Sequence, residues 1–309
     1  GAAAVVLVAD SLADGAFDRY AQILLRGRYA VDSVGVTPRH TAQPLVLLLR
    51  RSWLERARQP GQRLVASVST ESFTYASANV VAVVRGTDPT LRDEYVLFSG
   101  HHDHDGVRAP VHGDSIYNGA DDNGSVSVAL LAIGRAAVRQ PARRSMLFVW
   151  HGAEERGLLG SRWYVMHPTV DRGALVAVLN GDMIGRNHPD SAALLGAVPP
   201  HRNSTQLVAM ARAANAAVSR FAIDTSWDDP KHAEFWYFRS DHLPYARVGI
   251  PAIFFTTLLH PEYHTPQDEA SRIDYAKLAR MAQWMYATGW AVANAPERPA
   301  VDSGFRLER

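Results

Sequence analysis

Residues 94–106, EYVLFSGHHDHDG, show the pattern on which most of the chain is built. An apolar run of strand length leads directly into a cluster of histidines and aspartates. The same arrangement returns in SMLFVWHGAEERG at 145–157 and in ALVAVLNGDMIG at 174–185. Helical patterns separate these runs, and strands that alternate with helices are typical of a parallel sheet covered by helices. We therefore expect an α/β fold, a three-layer α/β/α sandwich with a mostly parallel central sheet.

Apolar periodicity also predicts where the individual elements lie. Strands are expected at 79–84, 94–100, 145–152, 174–182 and 251–257, and helices at 124–138, from Leu158, at 205–218 and at 275–292. Before residue 77 the pattern is weaker, with strand-like VVLV at 5–8, PLVLLL at 44–49 and helical spacing around Phe17. We expect three parts: a small N-terminal α/β segment over 1–76, a main domain over 77–295 and a polar tail over 296–309.

The composition is that of an ordinary globular protein. Of 309 residues, 47% are hydrophobic and 20% are charged, and the formal net charge is +1. This balance gives no reason to expect nucleic acid or an anionic membrane as a partner. The chain has no cysteine, which excludes disulfides and a thiol nucleophile. No apolar run approaches the roughly 18 residues of a membrane span, and GAAAVVLV at the start lacks the pattern of a signal peptide.

Five residues with metal-binding side chains occur in a fixed order along the chain. They are His101, Asp122, Glu155, Asp182 and His264. Imidazole and carboxylate are common ligands of borderline divalent ions such as zinc, and this set suits a pair of ions. Glu154, next to Glu155, is not counted among these ligands, so its carboxylate could transfer a proton. The pattern predicts metal-assisted hydrolysis of an amide.

Ordinary structural roles compete with this interpretation. Glu154 and Glu155 could start a helix, where the helix dipole favours acidic side chains. Asp121 and Asp122 could cap the helix that begins near Asn123. Because these residues occur as part of a larger set, we expect Asp121 or Asn123 to cap that helix and Asp122 to bind metal.

The order of the motifs resembles that of metallopeptidase family 28, the co-catalytic zinc aminopeptidases, which also include glutamate carboxypeptidases and glutaminyl cyclases. The matching motifs are H-x-D at 101–103, G-A-D-D-N-G-S at 119–125, G-A-E-E-x-G-L-x-G-S at 152–161, G-D-M at 181–183, S-D-H at 240–242 and H-T-P-x-D at 264–268. Each motif alone is weak evidence for the family, but all of them together and in this order are specific for it. The resemblance covers residues 77–294.

The resemblance implies a ligand set for two zinc ions per chain. In this family the second aspartate of G-A-D-D bridges the two ions, a role that carries over to Asp122. His101 and Asp182 would complete the protein ligands of one ion. Glu155 and His264 would complete those of the other.

The resemblance also implies roles for residues that do not bind metal. Glu154 would accept a proton from the attacking water as general base and hand it to the leaving amine. Asp103 would accept the far N–H of the first histidine ligand and so fix its tautomer. Tyr237 would donate a hydrogen bond to the developing oxyanion. Asp241 and Asp268 could support the site, although turn and cap roles explain them about equally well.

The remaining histidines are expected to be structural or exposed. His102 and His104 flank the first ligand, and strand alternation sends His102 to the opposite face from that ligand. His260 stands four residues before the last ligand, which is the spacing of a helical metal pair, but Pro261 argues against that helix. We leave His104 and His260 out of the expected ligand set.

Several functions stay open at this point. An aminopeptidase acting on peptide substrates is the leading hypothesis. A carboxypeptidase for acidic dipeptides would need an arginine cluster, and candidates such as Arg186 and Arg239 are not marked out by the sequence. A glutaminyl cyclase, an acyltransferase with one zinc, commonly has a tryptophan directly before the last histidine, where this chain has Tyr263. A non-enzymatic relative would usually have lost ligands or the base.

Residues 1–76 look like the latter part of a protease-associated domain, which this family often carries as an insertion. A plain extension of the main fold is the alternative. From the habit of the family we expect a secreted or periplasmic location. The sequence predicts no oligomeric state.

Overall fold

The computed structural model describes residues 4–15, 17–18, 21, 27, 29–31, 45–63, 65, 71 and 73–307. The chain divides into two compact units, Gly1–Ala76 and Ser77–Arg309. All the expected ligand residues belong to the second unit.

The first unit contains a small parallel pair of strands, β1 (Ala4–Val8) and β2 (Leu45–Leu49). Among the described residues of this unit, short helices lie at α1 (Ser11–Gly15) and α2 (Leu54–Arg58). Much of the helix predicted around Phe17 lies outside the described residues.

The second unit is built on a seven-stranded sheet. In chain order the strands of this unit are β3 (Val80–Val84), β4 (Tyr95–His101), β5 (Gly106–Val111), β6 (Asp114–Tyr117), β7 (Ser145–His151), β8 (Leu175–Gly181), β9 (Ser191–Leu195), β10 (Ala222–Asp224) and β11 (Ala252–Thr256). The sheet has the order β10-β9-β11-β8-β4-β7-β3, and β5 and β6 form a separate hairpin. The four central strands are parallel, whereas β3 runs antiparallel to β7 and β9 runs antiparallel to β11. The predicted mostly parallel sheet is confirmed.

Helices cover both faces of this sheet. They are α3 (Val126–Arg139), α4 (Leu159–Met166), α5 (Thr205–Ala214), α6 (His242–Arg247) and α7 (Tyr275–Asn294). Side chains of α3, α5 and α7 pack in the core on one face, and those of α4 and α6 pack on the other. The predicted three-layer α/β/α sandwich is therefore confirmed. In the part of the chain that the structure describes, no helix combines the length and apolar character needed to cross a membrane.

Strand alternation explains why the central strands contain uninterrupted runs of apolar residues. In β4, Val96 and Phe98 belong to the core on one face and Leu97 to the core on the other. In β7, Phe148 belongs to the first of these cores and Val149 to the second. Because both faces are covered by helices, both sets of side chains are buried, which is typical of parallel sheets.

The apolar pattern does not predict β9, β10 or α6. Strand β9 has the sequence SAALL, whose small residues have little strand preference. Strand β10 is only three residues long, and α6 carries Pro244 in its first turn, where a proline is tolerated. The predicted helix at 205–218 is α-helical to Ala214 and continues as a wider turn to Ser219.

The C-terminal tail is tied to the start of α5. The Asp302 carboxylate accepts hydrogen bonds from the backbone N–H and the hydroxyl of Thr205 at 2.9 and 2.7 Å. The Asp302 backbone N–H donates to the Asn203 carbonyl at 2.8 Å. These contacts hold the middle of the tail against the second unit.

Candidate active site

Three neighbouring parallel strands end at one edge of the sheet, and each leads into expected site residues. His101 is the last residue of β4, Asp182 follows β8 directly, and Glu154 follows the end of β7 by three residues. Ligands of open α/β sheets bind beyond the carboxyl ends of the strands. All three side chains are buried, at 1%, 6% and 9% exposure respectively.

His101, Glu154 and Asp182 form the first group that could hold a metal ion. The Nε2 atom of His101 lies 3.4 Å from Asp182 Oδ1 and 3.9 Å from Glu154 Oε2. The other oxygen of Asp182 accepts a hydrogen bond from the Ser240 hydroxyl at 2.7 Å. Ser240, the first residue of the S-D-H motif, therefore orients one of the predicted ligands.

The backbone of Asp103 orients the His101 ring. The Nδ1 atom lies 3.0 Å from the Asp103 carbonyl oxygen, which can only accept, so Nδ1–H donates and Nε2 keeps a lone pair for a cation. The Asp103 carboxylate, which was the expected partner of this nitrogen, lies 3.9 Å from Nδ1. It accepts instead from the backbone N–H groups of Glu154 and Glu155 at 2.9 and 3.3 Å. Asp103 thus holds the turn that carries both glutamates.

Asp122, Glu155, His264 and His104 form the second group that could hold a metal ion. The Nε2 atom of His264 lies 3.1 Å from Asp122 Oδ2 and 3.1 Å from Glu155 Oε1. The Nδ1 atom of His104 lies 3.0 Å from the same glutamate oxygen. The structure therefore brings three predicted ligands together with one histidine that sequence reasoning left out.

Asp122 faces both groups. Its Oδ1 atom lies 3.2 Å from His101 Nε2, and its Oδ2 atom faces His264 in the second group. The turn that presents it is held by Asp268, whose carboxylate accepts from the backbone N–H groups of Asp121 and Asp122 at 3.0 and 3.1 Å. A carboxylate held in this way can bridge two cations.

The residues beside Asp122 do not cap the following helix as expected. Helix α3 has no side-chain cap bond. The Asp121 carboxylate accepts from the Gly185 backbone at 2.6 Å, and the Asn123 amide donates to the Gly181 carbonyl at 3.1 Å. Both side chains tie the Asp122 turn to the end of β8. His260, which we left out of the ligand set, faces Asp121 at 3.5 Å and lies outside both ligand groups.

Two site residues were missed, His104 and Asp105. Asp105 is buried, and its Oδ2 atom lies 3.5 Å from Nδ1 of His264, the ring nitrogen that faces away from the second group. Arg108 and Arg156 form ion pairs with the same carboxylate. The only sequence signal for these two residues is their place in the HHDHD cluster, and strand alternation does not apply to them because β4 ends at His101.

Tyr237 lies in the core and in neither ligand group. Its exposure is 0%, and its ring stacks on the His201 imidazole with 4.2 Å between centroids. Trp236, Leu243 and Phe254 belong to the same apolar cluster. A donor to an oxyanion has to face the substrate, and the oxyanion role of Tyr237 stays a prediction.

Burial and ion pairing act in opposite directions on the titratable groups of the site. Burial raises the pKa of Glu154 well above its usual range and also raises the pKa of Asp182. Burial and the charge of Asp122 act to raise the pKa of Glu155, but the imidazoles of His104 and His264 lower it to about 2. Burial acts to lower the pKa of His264, but the carboxylates of Asp122 and Glu155, each 3.1 Å from its Nε2, raise it to about 9. The pKa values of the two adjacent glutamates are therefore shifted in opposite directions.

The donor atoms fit zinc. Among the described residues, His101 Nε2, His264 Nε2 and Glu155 Oε1 are buried and lie close to oppositely charged neighbours, but they make no hydrogen bond of acceptable geometry. Leaving a buried polar atom unsatisfied costs about 1–3 kcal/mol. Imidazole nitrogen and carboxylate oxygen are the usual zinc ligands besides thiolate, so zinc would satisfy all three atoms.

Comparison with known sequences places this site in a family. The model for "Peptidase family M28" matches residues 79–289. Leucine aminopeptidase 1 of Trichophyton rubrum is 28% identical over 237 residues, which are 72% of this chain and 59% of that protein. Leupeptin-inactivating enzyme 1 of Streptomyces exfoliatus is 36% identical over 133 residues, 40% of this chain and 27% of that protein. The chain thus spans less than two thirds of the length of these relatives.

Solved structures of similar fold include aminopeptidases and a glutaminyl cyclase from Bacteroides thetaiotaomicron. An aminopeptidase from Aneurinibacillus sp. strain AM-1 superposes with a TM-score of 0.62 at 21% identity, covering 85% of this chain and 60% of that one. The zinc aminopeptidase BSAP from Bacillus subtilis superposes with a TM-score of 0.55 at 20% identity, covering 74% of this chain and 53% of that one. At these identities the likeness shows the fold alone. The family match covers more than half of the sequence and includes every predicted ligand, and the chain belongs to peptidase family M28.

Proposed function

We propose that this chain is a zinc-dependent aminopeptidase that removes N-terminal residues from peptides. The observation that carries the proposal is the position of Asp122, whose two carboxylate oxygens face two different ligand groups. A carboxylate placed between two ligand groups can serve a pair of metal ions, so the proposal includes two Zn²⁺ per chain.

The described side chains divide into two ligand sets. His101, Asp182 and Oδ1 of Asp122 would hold one ion. Glu155, His264 and Oδ2 of Asp122 would hold the other. When bound, the zinc ions supply Lewis acidity, which polarises the scissile carbonyl and makes water easier to deprotonate.

Glu154 is the residue placed to move the proton. Its carboxylate borders the first group, with Oε2 at 3.9 Å from His101 Nε2, and its backbone N–H is held by Asp103. Burial raises the pKa of Glu154, and a general base works best when its pKa lies near the working pH. Glu154 would take the proton of the attacking water and return it to the leaving amine.

The relatives support this assignment. Leucine aminopeptidase 1 of Trichophyton rubrum and BSAP of Bacillus subtilis are both named as aminopeptidases, and BSAP is also named as a zinc enzyme. Because the chain spans only part of the length of these proteins, the activity of the whole protein belongs to the proposal. So do a secreted or periplasmic location and a protease-associated character for residues 1–76.

Mass spectrometry of a defined peptide set tests the proposal. The zinc-loaded protein would be incubated with free, N-acetylated and C-amidated versions of the same peptides, some of which start with glutamine. We expect stepwise loss of residues from free amino termini, blocked by acetylation and insensitive to amidation. Loss of ammonia from N-terminal glutamine without cleavage would show a cyclase instead. Loss from free carboxyl termini, blocked by amidation, would show a carboxypeptidase.

A variant of Glu154 tests the mechanism in the same assay. Glu154→Ala should lower turnover by about 10²–10⁴-fold, the usual contribution of a general base, and leave the zinc content unchanged. Glu297→Ala, which removes an exposed glutamate in the C-terminal tail, is the control and should change neither quantity. Full turnover by Glu154→Ala with normal zinc content would show that another group accepts the proton.

A further inference from the structure

We propose that His104 is a fourth protein ligand of the zinc ion held by Asp122, Glu155 and His264. The inference rests on the zinc binding in the proposed function but not on the peptidase activity. It would make this half of the site a set of two imidazoles and two carboxylates.

The geometry of the second group already includes the His104 ring. Its Nδ1 atom lies 3.0 Å from Glu155 Oε1 and 3.8 Å from Asp122 Oδ2. The ring meets the His264 imidazole edge-on, with 5.2 Å between centroids. One donor atom from each of these four residues lies within 4.8 Å of the others, which is the spacing of atoms that surround one cation.

The burial of His104 shows that its ring needs a partner. The side chain is 8% exposed, and among the described residues neither ring nitrogen has a hydrogen bond of acceptable geometry. A neutral imidazole has one N–H donor and one lone pair, and burying both unsatisfied costs about 1–3 kcal/mol each. A cation at the second group would take up the lone pair of Nδ1.

The local backbone is shaped to hold the ring against the site. Gly119, at the start of the Asp122 turn, has a φ of +63° and lies directly against His104. A Cβ atom at residue 119 would stand 2.5 Å from Cγ of the His104 ring. The turn that carries Asp122 therefore packs tightly against this imidazole, which places the two side chains beside each other.

A fourth protein ligand would make the two ions unequal. Zinc with four protein donors has a closed tetrahedral set, whereas catalytic zinc keeps a position open for water or substrate. An ion held by His101, Asp182 and Asp122 would have three protein donors and would keep that position. We therefore infer that the ion with His104 binds more tightly and that the other ion is the one that offers the open position.

X-ray absorption at the zinc edge tests the inference without using activity. With two zinc ions per chain, the intact protein should show about 1.5 imidazoles per zinc, from His101, His104 and His264, and His104→Ala should show about 1.0. A chelator titration of the same samples should show the tighter zinc weakened by about 100-fold in the variant. His102→Ala is the matched control, because His102 is exposed and its ring faces the Ala78 carbonyl.

An unchanged imidazole count and unchanged zinc affinity in folded His104→Ala would overturn the inference. If His104→Ala does not fold, a crystal structure of the intact zinc-loaded protein decides. A His104 nitrogen at about 2.0–2.1 Å from zinc supports the inference, and a nitrogen beyond about 3 Å overturns it. Failure of the intact protein to cleave peptides, with His104 bound to zinc, would refute the proposed aminopeptidase activity and leave this assignment intact.

Discussion

Asp268 shows how one buried carboxylate can organise the site without belonging to either ligand group. Its exposure is 0%, and it accepts from two successive backbone N–H groups in the turn of Asp122. It also lies in the same H-T-P-x-D segment as His264. Asp268 therefore connects the turn of the bridging aspartate to the segment that carries the last histidine. Of the two roles left open for it by the sequence, the structure favours support of the site.

Replacing this carboxylate should weaken zinc binding. Asp268→Ala leaves the backbone N–H groups of Asp121 and Asp122 without their acceptor, and each buried unsatisfied donor costs about 1–3 kcal/mol. We expect the free energy of unfolding to fall by about 2–4 kcal/mol and the zinc affinity to fall by about 10–100-fold, as for other residues that orient ligands. Denaturant unfolding of the metal-free protein and a chelator titration measure the two effects.

The control for this variant is Asp190→Ala. Asp190 forms an exposed ion pair with Arg280 on another part of the second unit, and exposed pairs contribute about 0–1 kcal/mol. Its zinc affinity should equal that of the unchanged protein. Equal zinc affinity in Asp268→Ala would mean that Asp122 keeps its position without the carboxylate.

At the scale of the elements, the long helix α7 packs directly on the central strand β4. Gly289 of this helix lies on the Phe98 ring, and a Cβ atom there would stand 2.1 Å from its Cζ atom. Phe98 is itself fully buried and stacks on Phe148 of the neighbouring strand. The ring cannot move aside, so this glycine sets how closely the helix approaches the sheet. The same strand ends in His101, and the packing therefore supports the site.

Two glycine substitutions separate this packing effect from helix propensity. Gly289→Ala should lower the free energy of unfolding by about 1–3 kcal/mol, because overpacking outweighs the gain in helix preference. Gly134→Ala in α3 is the matched control, since its Cβ would meet Phe148 at an ordinary 3.8 Å. It should raise the free energy of unfolding by up to about 1 kcal/mol. Denaturant unfolding measures both, and equal effects of the two variants would contradict this account of the contact.

At the scale of the whole molecule, buried acidic side chains are concentrated at one edge of the sheet. Asp122, Glu154, Glu155 and Asp182 all lie within the two ligand groups. Gathering carboxylates in a buried place opposes folding unless protons or cations accompany them. Burial raises the pKa of Glu154 and Asp182, which means that ionising these carboxyl groups costs free energy in the folded, metal-free protein. Zinc would remove much of this cost.

Removing zinc should therefore lower the thermal stability of the protein. A ligand that binds only the folded state at 1,000 times its Kd contributes about 4 kcal/mol, which corresponds to a shift in Tm on the order of 10 °C. Scanning calorimetry before and after chelation measures the shift, and added zinc should reverse it. Calcium, which prefers oxygen ligands alone, should restore little. An unchanged Tm after proven loss of zinc would show that the ligand groups contribute nothing to stability.

The sequence by itself determined the layers of the sandwich, its central strands and the edge where the reactive residues gather. These features follow from local periodicity, because residues alternate between faces for as long as a strand continues. His101, Asp182 and the two glutamates stand at the ends of such strands, and their common position was therefore predictable. The apolar runs also marked the long helix α7 to within two residues of its end.

Only the tertiary structure decided what happens beyond the strand ends. His104 reaches the second ligand group because the turn at Gly119 packs against it, and Asp122 is held by a carboxylate far along the chain. Tyr237, whose role in the site was implied by the family resemblance, stacks on His201 in the core. Outside a regular element, the direction of a side chain is set by contacts with distant segments, and no local period in the sequence encodes those contacts.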